Sequence, residues 1–110
     1  MKNQTKAILL IASMLSLWTT RAVDVGENWQ THCASCHGKD GKGETKAGKK
    51  ANVKDLTDAK YQSTLKDESM FKAIKEGMKE GNKEKMKPFG DKLSDEEIKA
   101  LVDFTKKFNK

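Results

Sequence analysis

The chain is poor in apolar side chains. Only 35% of its 110 residues are hydrophobic and 6% are aromatic, which excludes a large core and asks for a staple that a small domain cannot supply from packing alone. Arginine occurs once, as Arg21, so the bidentate donor favoured for phosphate and guanine is all but missing. The lysines are interleaved with acids, and nucleic-acid binding is not expected despite a high pI. No run alternates like a strand, which removes the βαβ setting of a thioredoxin-like redox pair. No apolar stretch approaches the about twenty residues that cross a bilayer. Proline occurs once, at Pro88, and cysteine twice, at Cys33 and Cys36.

The N-terminus carries a targeting pattern. Lys2 and Lys6 form a basic region, Ala7 to Trp18 is largely apolar, and Thr20-Arg21-Ala22 resembles a small-x-small cleavage site. Residues 1–22 are expected to be a cleaved signal peptide for export to the periplasm, leaving one domain over residues 23–110. Membrane contact is expected only if this segment stays attached as an anchor.

Both cysteines fall in Cys33-Ala34-Ser35-Cys36-His37. C-x-x-C-H is the attachment pattern of a c-type haem. Two cysteines three apart on a helical turn can each form a thioether with one haem vinyl group. The histidine after them is then held where a ring nitrogen can coordinate iron. A structural zinc site usually draws ligands from two separated pairs, and His32, Cys33, Cys36 and His37 are too crowded to close a tetrahedron. A Cys33–Cys36 disulfide would be a tight, strained loop. A thiol oxidoreductase using both cysteines is the remaining alternative. His32 is expected to be an ordinary helix residue.

Helices joined by loops fit the rest. One should begin near Asp24, with Glu27 as capping partner, and carry Val25, Trp29 and Cys33 on one face. Gly38 to Gly43 reads as a turn leaving the motif. A short helical turn is expected around Asn52 to Leu56. A helix over Lys66 to Glu76 should carry Met70, Phe71 and Ile74 and close at Gly77. Ser94 and Glu97 form a capping box for a final helix bearing Ile98, Leu101, Val102, Thr105 and Phe108. Gly77 to Gly90 reads as irregular.

A soft thioether is the natural second axial ligand for a high-potential haem. Met70 lies on an apolar helix face and reads as core. Met78 and Met86 both lie in the irregular stretch. Met86 is favoured, because Pro88 and Phe89 come just after it and can stiffen the backbone and cover a haem edge.

At this point the chain resembles the class I c-type cytochromes, in the small bacterial monohaem group. The likeness rests on Cys33 to Gly38, Asp40-Gly41-Lys42-Gly43, Met86-Lys87-Pro88-Phe89 and the run from Lys92 to Phe104. It implies an all-α fold, three or more helices wrapped around one covalent haem c, with the first and last helices crossing near Trp29 and Phe104. It also implies attachment through Cys33 and Cys36 and axial His37 and Met86. Two departures stand out: Lys87 separates Met86 from its proline, and no proline comes after the haem motif until Pro88. The carbonyl that would orient His37 is therefore unnamed.

The expected function is one-electron transfer by a monomer, not catalysis, with redox proteins as partners. After residue 22 there are 19 lysines against 16 acids. Six lysines and two acids lie in Lys39 to Lys54, and four lysines and two acids in Met78 to Lys87. Positive charge thus gathers in two segments expected beside the haem, where it would attract an acidic donor or acceptor. The runner-up is a five-coordinate haem protein that binds a gas or reduces peroxide, which requires that Met86 leave the iron open.

Overall fold

The computed structural model describes residues 23–108; the expected signal peptide lies outside them. The fold is all-α and helix-rich, with one small hairpin. Helical structure comes first as α1 (Val25–Asn28), a π-helical turn (Trp29–Cys33) and α2 (Ala34–His37). Asp24 starts α1 by accepting from the Glu27 N–H at 3.0 Å, and Gly38 ends α2 at φ 80°. The π turn is marked by the Ala34 N–H reaching back to the Trp29 carbonyl. It turns both Trp29 and Cys33 into the core.

The next helix is displaced from its expected position. The chain forms α3 over Lys46–Ala51 and leaves Asn52 to Leu56 non-helical. Thr45 caps the start of α3 by accepting from the Gly48 N–H at 2.8 Å. Asn52 ends it in the left-handed region at φ 56°, a conformation asparagine tolerates at a helix end. A further turn, α4 (Ala59–Gln62), precedes α5 (Asp67–Glu76), which closes at Gly77.

After Gly77 the structure departs from the irregular stretch expected there. β1 (Met78–Glu80) and β2 (Lys83–Met86) pair antiparallel through a Gly81-Asn82 turn. Glycine at the first central position, here at φ 62°, suits a two-residue hairpin. The final helix, α6 (Asp95–Lys106), has both halves of the Ser94–Glu97 capping box. Phe108 lies just beyond it yet still packs on the core.

The core joins Trp29 and Cys33 to Met70 and Ile74 of α5 and to Ile98, Leu101 and Val102 of α6. The first and last helices meet where Trp29 and Phe104 stack with centroids 5.3 Å apart, and the Asn28 amide donates to Glu97 at 2.8 Å. Buried Gln62 donates to the carbonyls of Leu56 and Thr105, tying α4 and the loop before it to α6. No helix among the described residues is long and apolar enough to cross a membrane.

Candidate haem site

The C-x-x-C-H turn is stitched to the loop after it. The Trp29 indole N–H donates to the Gly38 carbonyl at 3.0 Å. The Gly43 N–H donates to the His37 carbonyl at 2.8 Å, and the Thr45 hydroxyl to the Cys36 carbonyl at 2.8 Å. The Gly38–Gly43 segment is the expected turn, and it folds α3 back against α2. Contact there is so close that a Cβ on Gly48 would collide with the Cys36 and Gly43 carbonyls.

Of the motif's side chains Cys33 is buried, Cys36 and His37 are half-buried and Ser35 is exposed. Cys33 and Cys36 are free thiols. Burial, and secondarily the neighbouring Cys36, push the Cys33 thiol up to about 11. A redox-active dithiol needs an accessible thiolate near neutral pH, which buried Cys33 does not offer. Burial lowers the His37 pKa, keeping the imidazole in the neutral form that binds metals. Its ring lies 5.8 Å from Trp29, centroid to centroid.

His37 opens onto a cleft of about 320 Å³. Leu56 and Tyr61 line one part of it, and Met78, Lys85 and Met86 bring the hairpin to it. Met86 is half-buried and packs against the core, whereas Met78 is 53% exposed. The structure thus brings His37 and Met86 to one cleft, and brings Met78 there too. Gly77 sets the hairpin's place: at φ 76° its backbone lies so close to β2 that a Cβ would sit 2.6 Å from the Met86 carbonyl. His32 stands apart from the cleft, edge-on to Phe89 at 5.6 Å.

Tyr61 and Lys85 are cleft residues that no sequence motif marks. Tyr61 is the only tyrosine in the chain, a signal that was available. Lys85 enters because the hairpin contains a bulge: Lys79 faces Glu84 and Glu80 faces Lys83, but Met78 faces Met86. The extra residue turns Lys85 and Met86 inward together, and both are half-buried. Lys85 also pairs with Glu80 at 3.5 Å.

These residues fit a haem c. The donor set is one imidazole, two thioethers and two thiols one turn apart. His37 Nδ1 is buried with no hydrogen-bond partner, so no carbonyl is seen to orient the ring.

The family described as cytochrome C oxidase, cbb3-type, subunit III, matches residues 21–104. Among solved structures, the KustC0563 c-type cytochrome is 36% identical with a TM-score of 0.72, covering 80% of this chain and 100% of that one. A tyrosine-to-phenylalanine variant of Kustc0563 is also 36% identical, with a TM-score of 0.70 and coverage of 79% and 100%. No curated protein matches. Sequence and fold agree over nearly the whole described chain, and it belongs to this family as a small c-type cytochrome, an electron carrier rather than a catalytic enzyme.

Proposed function

We propose that the protein is a periplasmic, monomeric class I monohaem cytochrome c. One haem c would be held by Cys33 and Cys36, with His37 and Met86 as axial ligands. The observation that carries this reading is the shared cleft: the imidazole of the attachment motif and the Met86 side chain line the same cavity. Haem supplies a reversible one-electron change at iron when bound. The protein's own contribution is positional. Trp29 and the backbone bonds around Gly38 and Gly43 fix the turn that carries His37. The packed side of the hairpin fixes Met86, and Leu56 and Tyr61 limit water in the cleft.

The partner in this reading is an acidic redox protein. Lys54 and Lys85 line the cleft, and Lys79, Lys83 and Lys87 are exposed on or beside the hairpin.

The test is the absorption spectrum of protein made with a cytochrome c maturation system, in both oxidation states. Haem that survives acid extraction, with a near-infrared sulfur-to-ferric-iron band, is the expected result. Covalent haem with a high-spin spectrum would favour gas or peroxide chemistry instead. Absence of haem would sink both.

A further inference from the structure

The hairpin presents two thioethers where one suffices. Met78 and Met86 are partners in the strand register, and residues directly opposite in an antiparallel pair project from the same face. Without the bulge, Met78 would face Lys85; the extra residue brings the two methionines opposite each other. Both line the cleft that contains His37. Their surroundings differ. Met86 is packed against the core, but Met78 is 53% exposed. Among the described residues, the only other exposed large hydrophobic side chain is Val23, at the edge of the described segment. Apolar exposure beside the cleft leaves Met78 free to move, and its unbranched side chain has three rotatable bonds. Opposite Cα atoms are about 4.5–5.5 Å apart, a gap such a side chain can span.

We propose that Met78 is a reserve distal ligand: when the Met86 thioether is removed, Met78 takes its place in the same cleft. This rests on the His37/Met86 reading and adds a second residue to it. Packing makes Met86 the resident ligand, and register makes Met78 its replacement. Oxidation to the sulfoxide is one way a methionine thioether is lost, so two registered methionines would make the ligand set tolerant of a single lesion.

The experiment compares four haem-loaded proteins: wild type, Met78→Ala, Met86→Ala and the double variant. The readouts are the near-infrared sulfur-to-iron band and the spin state, with far-UV circular dichroism to establish that each is folded. The band should persist in wild type and both single variants and be lost only in the double variant. Loss of the band in Met86→Ala, with a high-spin spectrum like that of the double variant, would overturn the proposal. A low-spin Met86→Ala spectrum without the band would also overturn it, marking nitrogen ligation, for which Lys85 is placed. Absence of the band in wild type, or its loss in Met78→Ala alone, would instead show that the Met86 assignment itself is wrong.

Discussion

At the scale of single residues, close approach outweighs local preference. Gly48 lies inside α3, where replacing glycine by alanine ordinarily gains about 1 kcal/mol of helix stability. Here the new Cβ would strike the Cys36 and Gly43 carbonyls and the Thr45 hydroxyl, and overpacking of this kind costs roughly 1–3 kcal/mol. Two of those obstacles are backbone atoms of the haem turn and its exit loop, which cannot swing aside as a flexible side chain would. Gly48→Ala should therefore lower the denaturant midpoint of the haem-loaded protein, against the helix scale. Gly81 is the control. Its φ is positive, but nothing lies within 4 Å of its Cβ position, so Gly81→Ala should cost only the backbone strain of about 1–2 kcal/mol. Equal midpoints for Gly48→Ala and wild type would show that α3 can move away from the motif.

At the scale of elements, α6 depends on its cap. Glu97 accepts from the Ser94 N–H and, through its other oxygen, from Asn28 on α1. These hydrogen bonds, the Ser94 backbone first, hold its carboxyl below the ordinary 4.5. The unfolded chain thus takes up this proton before the folded one does. The contribution is complete above the ordinary value and is lost as pH falls through it toward the folded value. Glu97→Gln should flatten the acid limb of a stability–pH profile measured by denaturant unfolding, and an unchanged limb would remove Glu97 from that role. This cap was legible because Ser94 and Glu97 have the right spacing, and α5 was legible because Gly77 stops it. The hairpin was harder to see. Gly81-Asn82 is a two-residue turn signal, but Met-Lys-Glu and Lys-Glu-Lys-Met have none of the β-branched or aromatic residues that mark strands. The region around Asn52 is ambiguous in sequence for a related reason: asparagine can start a helix or end one, and the left-handed backbone that decides between them is a tertiary outcome. The C-x-x-C-H motif announced the site, yet neither the π turn beneath it nor the bulge that brings Met78 opposite Met86 has a local sequence mark.

At the scale of the molecule, few apolar groups hold many charged ones. Among the described residues, nine buried hydrophobic residues form the core, and one of them, Cys33, is an expected point of haem attachment. A protein made without haem should lose cooperative unfolding and much of its helical circular dichroism, because the cleft opposite His37 would have no apolar filling; native-like, cooperative unfolding would show that the core suffices alone. The charge distribution carries the last prediction. Asp67, Glu68 and Asp103 lie together with Lys99 where α5 meets α6, Asp67 being paired with Lys106, while Lys54 and Lys85 line the cleft with Glu80. On the proposed reading, an acidic partner approaching through solution would be drawn toward the cleft rather than the α5–α6 face, and such steering raises association rates by about 10–10³-fold at low salt. The electron-transfer rate constant with an acidic acceptor, measured by stopped flow, should fall as ionic strength rises. Lys54→Glu and Lys87→Glu, each made singly, should lower the low-salt rate and flatten that dependence, because both lysines are exposed and neither is among the ion pairs of the described residues. Lys99→Glu, on the α5–α6 face, adds the same sign of charge away from the cleft and should lower the rate much less. If all three substitutions slowed the reaction equally, net charge would set the rate and no face would be preferred.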